Sequence, residues 1–269
     1  VTYCHISTWD TSQVTDMSYV FYMKQDGFNA DISGWNTSSV TTMQRMFYYA
    51  SDFNQDISNW DTSAVKDMKE MFVGADSFNP NILNWKTSEV TSMWGMFESC
   101  DKFNGNISGW DTSKVQTMSS MFRGAVKFNQ DISGWETSAV EDMSWMFDEA
   151  RDFNQDISGW NTSQVRGMKN MFYDADSFNA NISGWDTSAV EDMSFMFTYA
   201  SDFNQDISGW VTSAVVEMEY MFYGADDFNQ NISGWDTSVV TRMYRMFHGA
   251  QSFNQDISGW DTSVVGEWM

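Results

Sequence analysis

The sequence predicts an α/β or β solenoid, one continuous domain over residues 1–269 built from about ten and a half tandem repeats. Trp recurs at 9, 35, 60, 85, 110, 135, 160, 185, 210, 235 and 260, a spacing of 25 after one opening step of 26. The octapeptide FNQDISGW begins at Phe128, Phe153, Phe203 and Phe253, with variants FNPNILNW from Phe78 and FNGNISGW from Phe103. Nineteen of the 21 Met fall in two columns, the first running Met17, Met43, Met68 and onward to Met243. One such unit cannot bury its own apolar face, whereas stacked units share a continuous core.

Taken in chain order, N-x-[DN]-I-S reads as a short parallel strand with Ile inward and its polar neighbours outward. The residue before Trp is Gly in eight units and Asn at Asn59 and Asn84, which predicts a left-handed backbone conformation ending that strand. After D-T-S, the pattern V-x-x-M-x-x-M-F-x-x-A carries a helical stripe, and Ser138 followed by Glu141 reads as a capping box. A second reading makes T-S-x-V-x-x-M another strand and leaves M-F-x-x-A as a helical or 3₁₀ turn. Both stay open at this level. With strands roughly 4.8 Å apart the rod would be about 50 Å long.

A net charge of -23 argues against nucleic acid, which needs clustered Lys and Arg, and leaves cations, basic partners and neutral sugars. Cys4 and Cys100 lie four repeats apart without CxxC or His companions, so neither a metal site nor a disulfide framework is expected. No apolar run of 18 residues, signal peptide or lipidation motif appears, so this segment is not expected to enter a membrane. The chain starts and stops inside a repeat, as expected for a segment of a longer protein.

Several columns carry chemistry. The two Met columns read as gap-filling packing beside Phe. The Asn column from Asn29 to Asn254 reads as a ladder of amides bonded to one another and to turn backbone. Carboxylates share one column at Asp31, Asp56, Asp131, Asp156, Asp206 and Asp256, and a second column follows Trp at Asp10, Asp61, Asp111, Glu136, Asp186, Asp236 and Asp261. They read as caps of the following segment, with calcium as the one cofactor they leave open. The threonine rank from Thr11 to Thr262 has two readings: structural capping, or an outward ice-binding array. His5 and His248 sit at opposite ends, no Ser has a repeating base, and no phosphate-cradling loop appears, so a non-enzymatic protein with no required cofactor is expected.

Positions that differ between units mark where packing makes no demand. Two past the first Met stand Tyr19, Arg45, Glu70, Gly95, Ser120, Trp145, Asn170, Phe195, Tyr220 and Arg245; one past the Phe of M-F stand residues such as Tyr48, Arg123, Asp148 and Tyr173. Tyr, Trp and Arg anchor interfaces, so this face reads as a recognition surface for a protein or glycan, with candidate binding residues Trp145, Phe195, Tyr220, Tyr244, Tyr48 and Trp94.

The unit F-N-x-D-I-S-G-W-D-T-S-x-V-x-x-M-x-x-M-F-x-x-A resembles the 25-residue repeat of BspA-like leucine-rich-repeat surface proteins and mycoplasma-type lipoproteins, over essentially the whole chain. That resemblance implies a right-handed, leucine-rich-repeat-like solenoid on a cell surface, with adhesion or host interaction as its role. The expected location is extracellular or at the cell surface, and the expected partners are a protein or glycan on a cell surface, or neighbouring copies in an assembly. It brings no catalytic residues. Departures are local: Val20 for the second Met, Cys100 for Ala, Val211 for the acidic residue after Trp210, and Trp268 for the last Met.

Overall fold

A computed structural model describes residues 5–266, so Cys4 and Trp268 lie outside the described residues. The chain is a solenoid of stacked 25-residue coils, joined by parallel one-residue bridges from Asp16↔Thr42 through Thr117↔Asp142 to Glu217↔Arg242. The bridge falls at the residue before the first Met, not at N-x-D-I-S. Among the described residues the only helix is the 3₁₀ turn Ile6–Thr8. Neither the strand at N-x-D-I-S nor a helix over V-x-x-M-x-x-M-F-x-x-A is formed, and Ser138 with Glu141 caps nothing.

The coil of residues 128–152 shows what replaces them. The N–H groups of Trp135, Val140, Met146, Ala150 and Phe153 donate to the carbonyls of Ile132, Thr137, Met143, Phe147 and Ala150, each closing a four-residue turn. Apolar residues recur at intervals of three because each such pair brackets a turn. In the second half of the coil the alternate N–H groups point along the rod. Those of Met143, Trp145, Phe147 and Glu149 reach Gly167 (3.1 Å), Lys169 (2.8 Å), Met171 (2.9 Å) and Tyr173 (2.6 Å) of the next coil. The backbone thus satisfies its donors within and between coils with neither helix nor extended strand.

Left-handed residues make this alternation possible, and they are not the Gly before Trp. Trp145 and Glu149 have φ near 59°, as third residues of the turns Met143–Met146 and Phe147–Ala150. A positive φ at that place marks a type II-like turn. The same two columns are left-handed in coil after coil, at Arg45 and Tyr49, at Gly95 and Ser99, at Phe195 and Tyr199. Gly before Trp has ordinary φ, and a Cβ there meets nothing within 4 Å at Gly134, Gly159 or Gly184, so nothing in the structure explains that Gly. Gly105 is different: a Cβ would stand 2.2 Å from the Pro80 carbonyl oxygen, so the one Pro of the chain is matched by Gly in the next coil.

Side-chain columns lock the coils together. Trp rings from Trp35 to Trp260 stack with centroids 6.3–6.5 Å apart and planes within 3°. Each indole N–H also reaches back to an Ile carbonyl, as Trp160 does to Ile132 at 3.2 Å. Both Met columns are buried beside Phe rings such as Phe147 and Phe153, whose centroids lie 3.9 Å apart. The amide ladder forms as expected: Asn154 N–H donates to Asn129 Oδ1 at 3.0 Å, and Gln155 Nε2 to the same oxygen at 2.8 Å. Gln after Asn thus uses the second lone pair of each rung.

Candidate functional site

The threonine rank is not an outward array. Thr11 to Thr237 are buried in every coil, and each hydroxyl donates to the carbonyl of the residue after the next Trp, as Thr162 does to Asp186 at 2.9 Å. A lone hydroxyl inside a stack needs a fixed acceptor. The premise of ice binding through this rank is therefore removed.

Both acidic columns serve local turns. Asp131 Oδ1 accepts from the N–H (2.9 Å) and the hydroxyl (2.7 Å) of Ser133, and Asp186 Oδ1 from the N–H of Ser188 at 3.0 Å. The serine hydroxyl and N–H hold these carboxyls, and those of Asp56, Asp61, Asp111, Asp156 and Asp206, below the ordinary range. Among the described residues no group of three or more His, Cys, Asp or Glu is arranged to hold a metal ion. No helix among them is long and apolar enough to cross a membrane.

The variable face lies on the left-handed turns. Trp145 (φ 59°), Phe195 (φ 60°) and Tyr220 (φ 56°) occupy the third place of the first turn, where Gly95 and Asn170 are the residues such a backbone favours. Holding a bulky L-residue there costs about 1 kcal/mol. All three are half-buried, as are Tyr48 and Tyr244, while Trp94 is exposed. Phe195 stacks on Tyr220 at 4.7 Å, and Tyr220 meets Tyr244 edge to face at 5.3 Å, so three of the six candidate residues form one cluster. Tyr48 belongs to a separate cluster, stacked on Tyr22 at 5.0 Å with the Arg45 guanidinium 5.6 Å from its ring centroid. Trp94 and Trp145 make no ring pair with either cluster.

The column one past Phe departs from the expectation that varying positions escape packing. Val73, Asp148 and Thr198 are buried. Glu98, Arg123 and Asp148 form a charged ladder on three successive coils, with Arg123 Nη1 donating to Glu98 and Arg123 Nε to Asp148 Oδ2, each at 3.2 Å. Asp148 Oδ1 has no hydrogen-bond partner within the described chain. Burial, opposed by Arg123, pushes the Asp148 carboxyl up to about 7 and raises that of Glu98. Next to this ladder a cleft of about 320 Å³ opens where Asn170 leaves the ring column low between Trp145 and Phe195, with Asp148 and Tyr173 also in its lining. Sequence reading named Trp145 and Phe195 but missed Asp148. The signal was Glu, Arg and Asp alternating at intervals of 25 in one column.

Coil, columns and face together define a class of architecture: a stacked-turn repeat rod whose inner side chains repeat and whose turn face varies. Three successive stretches, residues 2–108, 79–184 and 177–269, match the family described as "Mycoplasma protein of unknown function, DUF285", and the chain belongs to that family. No curated protein matches it. Among solved structures, it is similar to the functional domain of InlJ from Listeria monocytogenes, described as including a cysteine ladder, at 9% identity and a TM-score of 0.16. That match covers 80% of this chain and 59% of the other, so the chain spans less than two thirds of the neighbour's length.

Proposed function

We propose that this chain is a non-enzymatic surface module that binds a protein or glycan partner through its left-handed turn face, outside the cell or at its surface. One observation carries the reading: Trp145, Phe195 and Tyr220 stand at backbone positions that favour Gly or Asn. Strained positions filled by residues that packing does not require cluster at functional sites, and half-exposed rings lower solubility unless something binds them. The stacked columns need only the Trp, Phe, Met and Asn residues, so these rings answer another demand. The finer reading, a right-handed leucine-rich-repeat-like rod of the BspA type, rests on the repeat motif. Assembly with neighbouring copies through the same rings is the alternative within this reading.

The test compares the parent chain with a Trp145→Ala, Tyr220→Ala double variant for binding to intact cells and to a glycan array. One lost anchor typically costs about 2 kcal/mol, or roughly thirtyfold in affinity. Equal binding by the two folded proteins would move the site elsewhere, first to the polar N-x-[DN] side of the coil.

A further inference from the structure

Resting on that reading, we propose that the cleft between Trp145 and Phe195 receives a lysine side chain of a protein partner, its ammonium hydrogen-bonded to the Asp148 carboxylate. The cleft has two ring-bearing sides two coils apart and a polar base of Asn170 and Tyr173. An aliphatic stem lies well between rings, and a cation above them is attracted to their faces. The same chemistry already occurs at this ring, where Lys169 Nζ stands 5.7 Å from the Phe195 centroid and Tyr220 covers the other face.

Asp148 selects ammonium over guanidinium. Its side chain is about 95% buried, and Arg123 already takes Oδ2, which leaves a single oxygen unpaired within the described chain. A guanidinium fork favours both oxygens of a carboxylate, whereas an ammonium is a compact point donor suited to one. The surrounding charge favours a cation as well. Glu149 also lines the cleft and Asp174 lies within electrostatic reach; of the nearby cations, Arg123 lines the cleft but is divided between Glu98 and Asp148, Arg151 pairs with Asp174 and Asp176, and Lys169 stands at the Phe195 ring. A chain of net charge -23 draws a basic partner from a distance, and the cleft then distinguishes which basic group seats.

The probes are tetralysine, tetraarginine and fully N-acetylated tetralysine, titrated by calorimetry at 0.15 M salt into the whole chain. Tetralysine should bind more tightly than tetraarginine, and acetylation should abolish binding. Asp148→Asn and Trp145→Ala should each weaken tetralysine binding about tenfold. Asp131→Asn removes one exposed charge outside the cleft lining and should change it less than about twofold. Because Asp148 titrates near 7, tetralysine affinity should rise with pH through that value in the parent and stay flat in Asp148→Asn. Equal losses in all three variants, or tighter binding of tetraarginine, would overturn the lysine site in favour of diffuse charge attraction. Cell binding separates the two levels. If the Trp145→Ala, Tyr220→Ala variant loses cell binding while Asp148→Asn keeps it, the lysine assignment falls and the ring face stands; if neither loses it, both fall.

Discussion

The Trp column and the left-handed column run the length of the same rod on the same hydrogen-bonded backbone, yet they use side chains oppositely. Trp135 is 3% exposed, is flanked by identical rings above and below, and donates to the Ile107 carbonyl at 3.3 Å. Trp145, ten residues on, has a φ of 59° and neighbours that change from Ser120 to Asn170. At Trp135 the repeat dictates the side chain. At Trp145 it dictates only the backbone, through the N–H bond to the Lys169 carbonyl, and leaves the side chain free to serve another purpose.

The largest expected contrast is between these two tryptophans. Trp135→Ala should cost about 3–5 kcal/mol in urea unfolding, because it opens a cavity in a closed stack. Trp145→Ala should cost about 1 kcal/mol or less, since the ring is half-buried and the backbone strain remains. Similar costs would erase the distinction between the columns.

Asp148 is the place where the variable face enters the interior. Its carboxyl titrates above the ordinary value of 3.8, at about 7, so the proton-bound form is favoured by folding. The stability it contributes is complete below 3.8 and is lost as pH rises through about 7. Asp148→Asn, which keeps an acceptor for Arg123, should therefore be nearly neutral at the acid end and stabilising by about 2 kcal/mol at pH 8. Parallel stability curves for parent and variant across that range would refute the burial account of this residue. Asp131, Asp156 and their column behave oppositely: their lowered values mean that the stability they add is present above 3.8 and lost on further acidification.

Within the interior, Thr162→Val should cost about 1–2 kcal/mol, because it leaves the Asp186 carbonyl without the hydroxyl that reaches it at 2.9 Å. A gain in stability would show that the hydroxyl's bond does not offset the cost of burying it. The smallest effect belongs to the strained turn. Ser99 has a φ of 55° in a column that holds Gly74 and Gly124, so Ser99→Gly should stabilise by about 0.5–1 kcal/mol after the entropy of the unfolded glycine is counted. A loss would show that the left-handed places are not strained.

What the sequence made legible were the quantities that survive projection onto a period. The 25-residue spacing gave the coil, and the Asn, Trp, Met and Phe columns gave the stacked ladders. The course of the chain within each coil was hidden for a physical reason. Val140, Met143, Met146 and Ala150 lie three or four residues apart, and that spacing suits a helix and a run of four-residue turns equally. Gly95 and Asn170 in one column, and Gly74, Gly124 and Gly224 in the other, were the signs of positive φ, but Gly before Trp was more regular and drew that inference instead. The candidate rings were readable as outliers among repeats. Asp148 was harder to read: Glu98, Arg123 and Asp148 alternate in charge at intervals of 25, but a carboxylate in a variable column looks the same in sequence whether it faces water or the interior.

Two deletions of one whole coil test the central claim that coils are interchangeable inside and individual on the turn face. Removing residues 54–78 joins Phe53 to Asn79 and leaves the coils around Trp145 and Phe195 as they are; removing 154–178 joins Phe153 to Asn179, takes out Asn170 and Tyr173, and brings Trp145 and Phe195 onto adjacent coils. Each variant would be followed by unfolding in urea and by tetralysine titration. Both should unfold cooperatively near the parent's midpoint, since each coil contacts mainly its neighbours, and only the 154–178 deletion should lose tetralysine binding. Loss of fold in both, or retained binding in the 154–178 deletion, would contradict the account.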